Sequence, residues 1–357
     1  TRVEAATFHE DESRWSVATQ DGKTVSAAYF ILATGCLSNA RIPDFKGLDR
    51  FRGATYHTGH WPHEKVDFTG QRVGIIGTGS SAIQSIPIIA GEALHLFVFQ
   101  RTPNFSVPAH NASLPPEIER EWKADYTNRR RRAREESRNG ILTVIPERGA
   151  LDDTEEARRL EYEAGWRRGG ISFMASYNNL LLDQASNETA CEFVRSKIAE
   201  IVRDPAVAKL LEPHDHPIGS KRLCVDTGYY ETFNRPNVTL VDIRSHSIEE
   251  ILPDGLRTGG KDYQLDSIVF GTGFDAMTGS VAKIDIRGRA GTTLNQKWAE
   301  GPRTYLGLMS AGFPNMFIIT GPGSPSVLSN MIVSIEQHVD WISDCVSYMR
   351  ERNLVVV

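Results

Sequence analysis

The hydrophobic pattern opens with short alternations. Apolar and polar positions trade places from Val3 to Phe8 and again from Trp15 to Thr19, and the turn dipeptide Asp21-Gly22 leads into a third run, Val25 to Thr34. Period-two alternation broken by a turn predicts strands of an antiparallel meander. The last run becomes continuously apolar, Tyr29-Phe30-Ile31-Leu32-Ala33-Thr34-Gly35, and is expected to end the meander as a buried strand. A Gly- and Pro-punctuated stretch from Asn39 to Gly47 predicts a linker.

From Gln71 the pattern changes. Arg72-Val73-Gly74-Ile75-Ile76-Gly77 is a continuous apolar run, Leu94 to Phe99 is another, and a segment of helical length separates them. That arrangement predicts a βαβ unit of a parallel sheet. Pro87 falls inside the helix and is expected to kink or shorten it. Between Pro115 and Pro217 charged segments of helical period take over, among them Ile118 to Arg138, closed by Asn139-Gly140, and Thr189 to Val202. These predict a helical insertion. Strand-like runs return at Val238 to Ile243, Ser267 to Thr272 and Met316 to Thr320, before a last helix from about Val333 to Glu351. No repeat of solenoid period is visible.

Composition removes several functions. The 357 residues predict two or more domains. Forty Lys and Arg against 45 Asp and Glu give a formal net charge of −5, which offers nucleic acid or anionic lipid no global attraction. The basic cluster Arg129-Arg130-Arg131-Arg132 with Arg134 is followed by Glu135-Glu136 on a helical pattern, so it reads as a solvated face and not a nucleic-acid site. Cys36, Cys191, Cys224 and Cys345 lie far apart without metal-ligand spacing. Reduced thiols in a cytoplasmic compartment and no metal are expected. No run approaches the ~18 apolar residues of a membrane span, which leaves a soluble protein without a membrane partner. The chain starts at Thr1 without Met and stops in the apolar run Leu354 to Val357, so both ends read as cut.

The candidate chemistry begins at Gly77-Thr78-Gly79-Ser80-Ser81-Ala82, which follows a buried strand and opens a helix. The first glycine permits a tight turn, the second lets a pyrophosphate approach the backbone, and Ala82 permits close helix-to-strand packing. The phosphates would then meet the helix's N-terminal amides. Arg101 lies 22 residues after Gly79, at the end of the second strand, where an NAD site carries an acid. A guanidinium there can take a 2′-phosphate, which favours NADP(H). A second constellation, Phe51-Arg52-Gly53-Ala54-Thr55-Tyr56-His57-Thr58-Gly59-His60-Trp61-Pro62, fits the spacing FxGxxxHxxxWP at Phe51, Gly53, His57, Trp61 and Pro62.

With Ala33-Thr34-Gly35, Gly77 to Gln84, Phe99 to Pro103, Gly219-Ser220-Lys221-Arg222, Gly271 to Asp275 and Gly321 to Pro325, this constellation makes nearly the whole chain resemble the type I Baeyer-Villiger monooxygenases. The resemblance implies an α/β fold: a flavoprotein with two dinucleotide-binding domains, Rossmann-like three-layer sheets and a helical insertion, its first FAD βαβ unit absent from this chain. It divides the chain into the end of a first FAD segment (1–37), a linker with the fingerprint (38–69), a first NADP part (70–112), the insertion (113–218), a second NADP part (219–262) and the FAD return (263–357). Without the upstream GxGxxG these residues alone are expected to bind FAD poorly.

The implied activity is oxidation of a ketone to an ester or lactone with NADPH and O2, through a flavin C4a-peroxide. The resemblance makes Arg222 the catalytic cation, holding the peroxide and the tetrahedral adduct as anions. It assigns NADP(H) to Gly77, Thr78, Gly79, Ser80, Ser81, Ala82, Ile83, Gln84, Arg101, Thr102 and Lys221, counts Arg222 among the cofactor-binding residues as well, and sets Met331 against the flavin. Cys36, Leu37, Ser326, Val327 and Leu328 fall at the substrate pocket, and His57 takes a conformational role. Two other readings stay open: a related flavin monooxygenase that oxygenates nitrogen or sulfur, and an NADP-binding fragment without catalysis. No GxSxG elbow supports an esterase.

Overall fold

The computed structural model describes residues 1–325 and 328–357, which fall into two compact units. One unit comprises residues 41–114 and 143–273. The other comprises 1–40, 115–142 and 274–357.

The first of these is built on a five-stranded parallel sheet. From one edge to the other the strands are Val238–Asp242, His95–Gln100, Arg72–Ile76, Ser267–Phe270 and Ala54–His57. Both faces are covered, as parallel sheets require. Val73, Ile75, Leu96, Val98 and Val269 pack with Ile83, Ile86 and Ala90 of the helix Ser80–Glu92, while Ile76, Phe99, Ile268 and Phe270 turn to the other face. There they meet Ile251 and Leu256 of an antiparallel three-stranded sheet, Ile248–Leu252, Gly255–Thr258 and Lys261–Gln264. Each such fully buried side chain contributes roughly 1.5–3 kcal/mol of hydrophobic stabilisation. The helices Glu155–Arg168 and Gln184–Ile201 join the first face through Tyr162, Phe173, Tyr177 and Phe193, whose rings meet at centroid distances of 5.4–6.0 Å.

The second unit contains a meander of Val3–His9, Arg14–Thr19 and Thr24–Ala27, to which Asp285–Arg287 adds in parallel. Trp15, fully buried, centres its core with Phe8, Ile286, Trp298 and Phe313, and its indole N–H donates to the Pro314 carbonyl at 2.8 Å. The long helix Met331–Glu351 packs Ile342 against Leu308 and Phe317.

Several expected boundaries change. The run Tyr29 to Gly35 does not end the meander: Phe30–Leu32 leaves it and pairs in parallel with Met316–Ile318, with Ile31 47% exposed. The expected helix Ile118 to Arg138 is two helices, Pro116–Ala124 and Tyr126–Glu135, broken at Asp125. Segment 113–218 is therefore not one insertion, since 115–142 belongs with the meander and 143–218 with the five-stranded sheet. The stretch 38–69, expected as a linker, divides between the two units at residues 40 and 41 and contributes the edge strand Ala54–His57. The strand Ser267–Phe270, expected in the FAD return, lies in the same sheet, and the chain re-enters the second unit at Phe274. Pro87 does not interrupt its helix.

Candidate functional site: a phosphate loop and an unpaired arginine

Gly77 leaves the strand Arg72–Ile76 at φ +106, a left-handed value that a side chain resists. A Cβ there would meet the Gly271 carbonyl oxygen at 2.5 Å. Beside it, a Cβ on Gly271 would lie 2.7 Å from the Ala82 Cβ, so glycine at 271 and alanine at 82 let the helix close on the sheet. Gly79, the N-cap of Ser80–Glu92, has open space around it and supplies no side-chain cap. The first-turn amides are therefore available to an anion, which the helix dipole also favours.

Thr78 is buried and fixes the loop: its hydroxyl donates to the Thr102 carbonyl at 2.8 Å, and the Asn104 amide donates to the Thr78 carbonyl at 2.8 Å. The end of the second strand is thus tied to the phosphate loop. Arg101 there is exposed. Ile83 is buried within the same helix, and the Gln84 amide reaches the Val225 carbonyl at 3.3 Å.

Lys221 and Arg222 are exposed, on a turn that passes through Gly219 at φ +85 before the strand Cys224–Asp226. That strand pairs with Ser106–Pro108, and the Cys224 amide donates to the Phe105 carbonyl at 3.2 Å. Cys224 also lies against Ser80, and burial pushes its thiol up to about 11. The Lys-Arg pair is therefore held next to the start of the phosphate-loop helix. Lys221 Nζ lies 3.5 Å from His216 Nδ1, and the His216 ring sits edge-on to Phe105 at 5.4 Å. Among the described residues no carboxylate comes within 4.0 Å of Arg101, Lys221 or Arg222, whereas Arg50, Arg72, Arg148 and Arg257 are each ion-paired.

The anchor of this strand is Asp226, which the sequence reading missed. Its carboxylate accepts from the Ser106 hydroxyl and from the Tyr229 amide at 2.9 Å, and burial raises its pKa. The only signal was an Asx-turn pattern, Asp226-Thr227-Gly228-Tyr229, after a short strand.

The fingerprint residues gather at the edge strand. His57 ends Ala54–His57, is 4% exposed, and its Nδ1 accepts from the Gly59 amide at 2.9 Å. Burial lowers its pKa, with nearby His60 adding to the effect, so the ring is neutral at pH 7. Trp61 packs against Tyr56 and Phe68 at 5.5 and 6.2 Å, with Pro62 following it. A Cβ on Gly53 would strike the Asp266 carbonyl oxygen at 2.3 Å and the Phe51 ring at 2.6 Å. These contacts make the constellation structural support for the parallel edge.

The other expected pocket residues lie in the unit built on the meander. Cys36 is buried, Leu37 is 47% and Leu328 84% exposed, and Met331 is the half-buried first residue of the last helix. Ser326 and Val327 lie outside the described residues. A cleft of about 720 Å³ in this unit is lined by Phe30, Leu32, Thr34, Asn39 and Lys283. Among the described residues no His, Cys, Asp and Glu cluster could hold a metal, and no helix is long and apolar enough to cross a membrane.

The parallel sheet with its glycine loop at a helix start is an α/β arrangement of the dinucleotide-binding kind, and residues 1–107 match the family "Flavin-binding monooxygenase-like". The chain is 40% identical, over 99% of its length and 64% of the relative's, to a Baeyer-Villiger monooxygenase of Pseudooceanicola batsensis. It superposes with TM-score 0.94 on an oxidized steroid monooxygenase bound to NADP, with 53% identity, covering 99% of this chain and 68% of that one. OTEMO in complex with FAD and NADP gives TM-score 0.96 and 40% identity, again over 99% and 68%. The chain belongs to the Baeyer-Villiger monooxygenases. It spans 64–66% of the length of the first curated relatives it matches.

Proposed function

We propose that the protein uses NADPH and O2 to oxidise a small ketone to an ester or lactone, with FAD and NADP(H) as its cofactors. In this reading the unit with the five-stranded sheet is the NADP domain and the unit with the meander is the FAD domain. The observation that carries it is the exposed Arg222 guanidinium, without an ion-pair partner among the described residues, fastened through Cys224 beside a phosphate loop.

An NADP dinucleotide fits the residues present. Gly79 leaves room for a pyrophosphate against the uncapped amides of Ser80–Glu92, and Arg101 and Lys221 supply cations for a 2′-phosphate. Flavin, present with NADP in the OTEMO structure, supplies the oxygen-transfer chemistry when bound. Cys36, Leu37, Leu328 and Met331 belong to the unit that would hold it.

Arg222 acts on charge. A guanidinium stays protonated throughout the working pH range, so it stabilises negative charge growing on the ketone oxygen without having a proton to lose. His57, buried and neutral, holds the Thr58–Gly59 backbone and moves no proton. The thiols of Cys191, Cys224 and Cys345 suit a soluble protein of the reducing cytoplasm.

The test is Arg222→Ala in the flavin-loaded protein. NADP+ should still bind within about threefold, while ester or lactone formation falls by at least about a hundredfold, the scale of losing one preorganised charge. Undiminished lactone formation by the variant would remove Arg222 from the chemistry.

A further inference from the structure

The strand Val238–Asp242 lies beside His95–Gln100 in parallel, with Asp242 opposite Gln100, so both strands end at the same edge of the sheet. Beyond that edge, the Ile243 amide still donates to the Gln100 carbonyl at 2.9 Å. Asp242 then turns the chain by accepting from the Arg244 amide at 2.8 Å. Arg244 is thereby brought back over its neighbour strand, and its Nε donates to the carbonyl oxygen of Arg101 at 3.1 Å.

That bond holds the guanidinium by one edge. Its two Nη groups meet no acceptor among the described residues, and no carboxylate lies within 4.0 Å. The acid that starts the turn, Asp242, is occupied by a backbone amide. Arg101 and Arg244 are both exposed, and the Arg244 side chain is held on the Arg101 backbone where the two adjacent strands end. An anion reached by both guanidinium groups would be held by charge-assisted hydrogen bonds.

Resting on the NADP(H) reading above, we propose that Arg244 is a specificity-determining residue for the dinucleotide: its guanidinium, anchored on the Arg101 carbonyl, contributes a further positive charge to the 2′-phosphate. The ligand chemistry it selects is a phosphomonoester dianion on the ribose of an adenosine. Lys221 and Arg101 approach that group from the other segments, and Arg244 does so from the third strand of the sheet.

Titration calorimetry with adenosine 2′,5′-bisphosphate and 5′-AMP tests this without flavin or turnover. The wild-type chain should bind the bisphosphate more tightly than 5′-AMP. Arg244→Ala should lower bisphosphate affinity about tenfold, the size of one charge-assisted hydrogen bond, and leave 5′-AMP unchanged. Arg244→Lys keeps the charge and should retain most of the preference. Arg244→Gln keeps a donor for the Arg101 carbonyl but no charge, and should fall as far as Arg244→Ala. Bisphosphate affinity undiminished in Arg244→Gln or in Arg244→Ala overturns the proposal, as does an equal fall for both ligands, which would mean adenine contact. Absence of any preference in the wild type would instead defeat the NADP(H) reading itself.

Discussion

Two glycines and a methyl group decide how the phosphate loop closes. Gly77 combines φ +106 with a Cβ position 2.5 Å from a carbonyl oxygen, so neither rotation nor a small shift accommodates a side chain. Gly77→Ala should weaken NADP+ binding more than about tenfold and destabilise the fold by over ~1 kcal/mol, read by titration calorimetry and a thermal melt. Burial lowers the pKa of His57, His95 and His338 below 6.5. A base whose folded-state pKa is depressed keeps its full contribution to stability above the unfolded value of 6.5 and loses it as pH falls towards the lower folded one. The Tm should therefore drop between pH 7 and pH 5, and His57→Gln should flatten part of that slope. The spacing of the fingerprint picked out His57, Trp61 and Gly53, but not their work as packing at a strand edge. Nothing in a sequence shows that an imidazole nitrogen will face the Gly59 amide.

At the level of elements, long periodic segments were legible and short parallel strands were not. The strands around Val73 and Val98 and the helix between them read directly from apolar runs, because both faces of a parallel sheet are buried. Ala54–His57 has four residues, two of them exposed, and its partner Ser267–Phe270 lies over two hundred positions later. A local pattern cannot carry that pairing, so the stretch reads as a linker. Asp226 and Arg244 escaped for a related reason. Each acts from a turn after a strand, where an Asx pattern looks solvated. Pro87 shows the opposite error, since tertiary packing of Ile83, Ile86 and Ala90 keeps the helix continuous across it. Pro87→Ala restores a donor to the Ile83 carbonyl and should raise the Tm, with a gain of ~1 kcal/mol or more, provided the half-buried site accepts the smaller side chain.

Across the whole molecule, the net charge of −5 works against a polyanionic ligand, and yet Arg101 and Arg244, where strands of the parallel sheet end, and Lys221, on the turn before Cys224–Asp226, have no carboxylate within 4.0 Å among the described residues. On the proposed NADP(H) reading, local charge decides the ligand where the sum does not. NADP+ at a hundred times its Kd should stabilise the folded chain by about 2.7 kcal/mol, seen as a rise in Tm, and NAD+ at the same concentration should raise it far less. The proposed ketone oxidation is measured most directly by product analysis under oxygen-18 gas, with flavin-loaded protein, NADPH, cyclohexanone and thioanisole in one vessel. The predicted result is ε-caprolactone carrying one labelled oxygen. Labelled sulfoxide with no lactone, or NADPH bound with no oxygenated product, would contradict it.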